Sequence, residues 1–163
     1  MFSSALRDEA ARLLDACRKA RFKIATAESC SGGLVAGLLT EIPGSSDVFE
    51  RGFVTYSNAA KTECLGVAVD LIVRHGAVSE PVARAMAEGA LIHSRADMAV
   101  SVTGLAGPGG AMPGKPVGLV HLAAARTGRG TLHRECRYGE IGRGGVRLKA
   151  VEDALVLLWA ILR

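Results

Sequence analysis

Between Asp97 and Thr103 the chain reads Asp-Met-Ala-Val-Ser-Val-Thr, an apolar run with little polar alternation. A strand that turns neither face to water has to lie inside a sheet covered by helices on both sides. The flanking pattern supplies those helices. Leu6, Ala10, Leu13, Leu14 and Cys17 recur at three- and four-residue steps, so Ser4 to Ala20 is an amphipathic helix that Ser3 or Ser4 can cap. Lys23 to Ala27 reads as a strand, followed by a helix through Leu34, Val35, Leu38 and Leu39 that stops before Pro43-Gly44, with Ser29 or Ser31 as its cap. Phe49 to Tyr56 is a second strand and Asn58 to Leu65 a short helix. After a loop, Ser79-Glu80-Pro81 opens a longer helix carrying Val82, Met86 and Ala90. Val117 to Ala125 and Thr131 to Tyr138 form a hairpin through Thr127-Gly128-Arg129-Gly130. A last helix is marked by Val146, Ala150, Ala154, Leu155, Leu158 and Leu162, preceded by Gly142-Arg143-Gly144-Gly145. Helices alternating with strands early and a hairpin late predict a three-layer α/β/α fold with a mixed β-sheet, in one domain over residues 1–163.

Composition narrows the function. Hydrophobic residues make up 49% of the chain and aromatics only 4%, so the interior is aliphatic, and the stacking aromatics of a single-strand nucleic-acid binder are missing. Charge is interspersed except from Arg126 to Lys149, where seven arginines and lysines face two glutamates. That asymmetry suits an anionic small molecule as well as nucleic acid or a plain solvated face; we expect no nucleic-acid partner. Cys17, Cys30, Cys64 and Cys136 stand singly, with neither a zinc spacing nor a disulfide framework. Charged residues interrupt the N-terminal segment, and no apolar run approaches the ~18 residues of a membrane span, so a cytoplasmic protein with no membrane partner is expected.

Three polar clusters fall where apolar runs end: Ala27-Glu28-Ser29-Cys30-Ser31-Gly32-Gly33, Tyr56-Ser57-Asn58-Ala59-Ala60-Lys61 and Thr103-Gly104-Leu105-Ala106-Gly107-Pro108. In an open α/β sheet, ligands bind outside the carboxyl ends of the strands, so the three clusters can converge on one pocket. A serine, a lysine and a tyrosine gathered there suggest nucleophilic acyl chemistry. Familiar signatures fail on inspection. Gly109 to Lys115 has P-loop spacing, but Pro116 replaces the magnesium-binding hydroxyl and a strand follows. Tyr56 and Lys61 are five apart rather than four, and Ser29 has no elbow glycines and no Ser-x-x-Lys around it. His75, His93, His121 and His133 are isolated in sequence and read as surface or satisfied core residues. With histidine discounted, a buried lysine is the base left for a serine. Spacing alone leaves each candidate two readings. Ser29 is a helix cap or a group at a helix start whose N–H groups face an anion. Gly32 and Gly33 serve close packing or that same anion. Thr103 bonds to backbone or to a ligand, Tyr56 packs or reacts, Glu28 is a charge near a helix start, and Cys30 is a buried hydrophobe or a nucleophile.

These clusters, with Pro43-Gly44-Ser45-Ser46, Phe49-Glu50-Arg51-Gly52-Phe53-Val54-Thr55, His75-Gly76-Ala77-Val78-Ser79-Glu80 and Lys115-Pro116-Val117-Gly118, resemble the CinA C-terminal domain family almost end to end. The resemblance implies hydrolysis of the carboxamide of nicotinamide mononucleotide to nicotinate mononucleotide and ammonia, without metal or cofactor, in pyridine-nucleotide recycling. It implies Ser29 as nucleophile, Lys61 as base with Tyr56 assisting, and Thr103 as a polar partner of the amide. Ser31, Gly32, Gly33, Gly104 and Gly107 would bind substrate, with Arg143 on the phosphate. It also implies a homo-oligomer. The tract Tyr138-Gly139-Glu140-Ile141-Gly142-Arg143 departs from the Phe-x-Gly-Asp-Arg frequent in the family. Two other readings use the same pocket: a pyridine-nucleotide or phosphate-sensing module without turnover, and a serine amidohydrolase for another amide.

Overall fold

The computed structural model describes residues 2–163. Helix α1 (Ser4–Ala20) leads into strand β1 (Ile24–Glu28), helix α2 (Leu34–Glu41), a 3₁₀ turn (Ser45–Asp47) and β2 (Phe49–Val54). Three helices follow, α3 (Asn58–Leu65), α4 (Val69–His75) and α5 (Glu80–Ile92). The chain closes with β3 (Met98–Gly104), β4 (Leu119–Arg126), β5 (Leu132–Arg137) and α6 (Gly142–Leu162). The sheet order is β2-β1-β3-β4-β5. β1 runs parallel to both β2 and β3, while β4 and β5 are antiparallel additions. The expected three-layer arrangement with a mixed sheet is therefore observed.

The two faces of the sheet are built from different side chains. Met98, Val100 and Val102 of β3, with Val120, Leu122 and Ala124 of β4, point to a large core shared with α1, α2 and α6. Ala99 of β3 and Ala123 and Ala125 of β4 point the other way, where α5 packs Ala83 and Ala87 closely against them. Period-two alternation of large and small residues thus sets a thick layer on one side and a close helix on the other. Each fully buried Leu, Val or Met contributes about 1.5–3 kcal/mol relative to exposure. Ser101 is fully buried yet costs little, because its hydroxyl donates to the Ala83 carbonyl at 2.6 Å. No helix among the described residues is long and apolar enough to cross a membrane.

Four local expectations need correction. α4 falls where the sequence predicts a loop; it has seven residues and no side-chain cap, so little in its sequence announces it, and burial of Ile72 against α5 holds it. Neither Ser29 nor Ser31 caps α2. The cap position is Gly33 in the left-handed region (φ 92°), and the fully buried Glu28 carboxylate accepts the N–H groups of Gly33, Val35 and Ala36 at 3.1, 3.0 and 2.8 Å. Ser79 does occupy the cap position of α5, but its hydroxyl donates backwards to the Gly76 carbonyl. The tract Gly142 to Gly145 belongs to α6 rather than preceding it. Arg143 in its first turn reaches the Gly107 carbonyl at 2.9 Å, a tertiary contact that offsets poor glycine helix propensity.

Candidate active site

Because β1, β2 and β3 are mutually parallel, their carboxyl ends open on the same edge of the sheet, and the three polar clusters meet there. Ser29 directly follows β1, Tyr56 lies two residues past β2, and Thr103 is near the end of β3. A cleft of about 260 Å³ is lined by Ser29, Tyr56, Lys61, Thr103, Gly104, Gly107 and Arg143. A larger, mostly apolar depression of about 360 Å³ lies between α3 and α4, but it contains none of the nucleophile and base candidates.

Lys61 reaches the cleft floor because the Ser57 hydroxyl caps α3, accepting the Ala60 N–H at 3.0 Å, and so fixes where the helix starts. One turn later Lys61 is only 1% exposed. Its Nζ lies 3.1 Å from Ser29 Oγ and donates to the Thr55 carbonyl at 2.9 Å. Among the described residues it forms no ion pair, and burial pushes its pKa below the ordinary lysine value. Ser29 is 9% exposed, its N–H held by the Val102 carbonyl at 2.9 Å. A serine hydroxyl beside a desolvated amine is the arrangement needed to form an alkoxide nucleophile without histidine. Cys30 also lines the cleft, but burial raises its thiol pKa to about 11, so it stays protonated at neutral pH.

The rim is polar. The Tyr56 hydroxyl, on a ring 60% exposed, accepts from Arg143 at 2.8 Å while the same guanidinium donates to Gly107 O. Arg143 thus straps the β2–α3 side of the mouth to the β3–β4 loop. Thr103 lines the cleft with its hydroxyl donated to the Ala77 carbonyl at 2.9 Å, the backbone bond that one of its two sequence readings describes. Ser31, Gly32 and Gly33 are not brought into the cleft. The Ser31 side chain is fully buried with no partner for its hydroxyl, Gly32 abuts Arg147, and Gly33 faces Val54. The α2 N–H groups expected to face an anion are committed to Glu28 instead.

Sequence reading passed over Asn58, Ala77 and Val78, which also line the cleft. Asn58 precedes Lys61 by one helical turn, a spacing that could have found it. The histidines are less isolated than their spacing suggests. His121 Nδ1 and His133 Nε2, on neighbouring strands, are 2.9 Å apart, and His133 Nδ1 is 3.5 Å from Glu80. Among the described residues no group of three His, Cys, Asp or Glu side chains is placed to hold a metal ion. Three of the seven arginines and lysines of the basic stretch are used structurally in this way: Arg126 lies over the Phe22 ring and bonds the α6 carbonyls, Arg134 pairs with Asp153, and Arg147 donates to Ser31 O.

Residues 6–162 match the family model of the CinA C-terminal domain. The chain is 53% identical over 137 residues to the nicotinamide-nucleotide amidohydrolase PncC of Escherichia coli K12, covering 83% of this chain and 82% of that protein. It is 62% identical over 106 residues to a CinA-like protein of Akkermansia muciniphila, covering 65% of this chain but only 26% of that longer relative. The crystal structure of the competence/damage inducible protein CihA from Agrobacterium tumefaciens superposes with a TM-score of 0.98 at 50% identity, covering 100% of this chain and 99% of that one.

Proposed function

This chain belongs to the CinA C-terminal domain family, and from that membership and the Ser29–Lys61 geometry we propose that it hydrolyses the carboxamide of nicotinamide mononucleotide to nicotinate mononucleotide and ammonia. The observation that carries the reading is the 3.1 Å contact between a serine hydroxyl and a buried amine with no carboxylate beside it. The neutral Lys61 amine keeps one N–H on Thr55 O and accepts the Ser29 proton while Oγ adds to the carboxamide carbon. Collapse of the tetrahedral adduct breaks the C–N bond, and Lys61 returns the proton to the departing nitrogen, releasing ammonia. Water, deprotonated by the same amine, then attacks the acyl-enzyme, frees the carboxylate and restores Ser29. Glu28 contributes by holding the start of α2, which keeps the turn bearing Ser29 in register with β1. The reaction belongs to pyridine-nucleotide recycling in the cytoplasm, where four unbridged cysteines are at home.

Purified protein supplied with nicotinamide mononucleotide is expected to release ammonia and nicotinate mononucleotide at equal rates, unchanged by a chelator, since the described residues offer no three-donor metal group. Loss of activity with chelator and its return with zinc or magnesium would refute the metal-free route. Binding without ammonia release would favour the sensing module.

Phosphate recognition falls to Arg143 at the rim, whose guanidinium would exchange Tyr56 and Gly107 for the substrate phosphate. A charge-assisted bond of about 1.5–3 kcal/mol corresponds to roughly ten- to hundredfold in kcat/KM, so nicotinamide riboside is expected to be poorer by about that factor. Arg143→Ala should remove most of the difference between the two substrates. Equal losses on both would show that Arg143 only holds the loop.

A further inference from the structure

The polar side chains of the cleft are already engaged with one another or with backbone, with one exception. Ser29 and Lys61 face each other, Thr103 has donated its proton to Ala77 O, and Tyr56 and Arg143 are joined. Asn58 lines the same cleft where it borders the apolar depression between α3 and α4, is solvent-exposed, and its side chain makes no hydrogen bond to any described residue. As the first residue of α3 it stands one turn before Lys61, on the side of the helix that carries the base.

What an unpartnered amide can recognise follows from its chemistry. A primary carboxamide presents N–H donors on one side and a carbonyl acceptor on the other, and only a group with both a donor and an acceptor pairs with both. Arginine donates only. The hydroxyl of Thr103 has spent its proton on Ala77 O, and that of Tyr56 presents its donor and its acceptor on one atom, too close together to meet both sides of an amide. We propose that Asn58 binds the carboxamide that is hydrolysed, its Oδ1 accepting from the substrate NH₂ and its Nδ2 facing the substrate carbonyl, so that the carbonyl carbon is turned toward Ser29. The inference rests on the amidohydrolase reading above. It goes further in assigning amide recognition to a residue on the same helix as the base.

The amide of Asn58 can turn over and donate to a carboxylate, so the wild-type residue accommodates the product as well. Aspartate cannot: it keeps an acceptor for the substrate NH₂ but sets a negative charge against the product carboxylate. Leucine, similar in size, keeps neither donor nor acceptor. The test is calorimetric binding of nicotinamide mononucleotide and nicotinate mononucleotide to Ser29→Ala protein carrying Asn58, Asn58→Asp or Asn58→Leu, with folding checked by circular dichroism. Asn58→Leu is expected to weaken the amide about tenfold. Asn58→Asp should hold the amide within about threefold while weakening the acid at least about tenfold more than the amide. Equal losses for amide and acid in both variants would place Asn58 against the ribose or phosphate and overturn the proposal; unchanged binding of both would do the same. Ammonia release by otherwise wild-type protein is measured alongside. If it occurs and the binding ratios do not move, only the role of Asn58 falls. If it is absent, the amidohydrolase reading falls, and the ratios still decide whether Asn58 touches the amide.

Discussion

Ser29→Ala is expected to lower turnover of nicotinamide mononucleotide by several orders of magnitude, on the scale of roughly 10⁶ for loss of a serine nucleophile, while the affinity for substrate largely survives. The hydroxyl is the group in the cleft that sits against a neutral-capable amine. Its neighbour Cys30 cannot take over: the thiol is 6% exposed and its pKa is raised to about 11, so the thiolate fraction near pH 7 is negligible. Cys30→Ala should therefore retain most of the activity. Steady-state kinetics of the two variants, with a thiol-alkylating reagent as cross-check, decide between the residues. Inactivation of wild type that spares Cys30→Ala would move the nucleophile to Cys30.

Lys61→Arg is expected to be nearly as inactive as Lys61→Met, since arginine keeps the charge but does not give up its proton. The two should differ in stability. Burial lowers the pKa of Lys61 in the folded protein, whereas the unfolded chain holds the proton up to the ordinary lysine value near 10.4. Between those two values the native state binds fewer protons than the unfolded one, so the lysine's cost to folding is largest on the acidic side of that window and shrinks as pH rises through it. At neutral pH the residue is thus kept at the expense of stability. Lys61→Met, which fills the same space without a charge, should raise stability by on the order of 1 kcal/mol, read as a higher melting temperature. On the proposed mechanism the same titration is expected to set the acidic limb of the pH–rate profile, because the neutral amine is the base. Substantial turnover by a folded Lys61→Arg protein with an unchanged limb would show that the lysine acts by charge and another group activates Ser29.

Legibility followed the range of the interactions involved. α1, the parallel strands and the late hairpin were readable because their apolar spacing is a local property that tertiary packing reinforces, as in β3, whose first six residues are buried. α4 was not, since seven residues with one buried isoleucine carry too little periodicity. The start of α2 departs from its local signal for a related reason. A serine beside a helix start usually caps it, but Glu28, at the end of the preceding strand, bends back from five to eight residues away and takes the three N–H groups first. That left Ser29 free for the cleft and turned Ser31, Gly32 and Gly33 away from it.

By itself the sequence determined the layered architecture, the strand ends on which the polar clusters sit, and the residue types available there, because each depends on periodicity or on identity within a few positions. Only the tertiary structure decided which of those residues lie together. The pKa of Lys61, its 3.1 Å approach to Ser29, and the strap of Arg143 between Tyr56 and Gly107 join positions 32, 87 and 36 residues apart in sequence. Desolvation and hydrogen-bond geometry depend on what the whole fold packs around a group, and no local pattern records that.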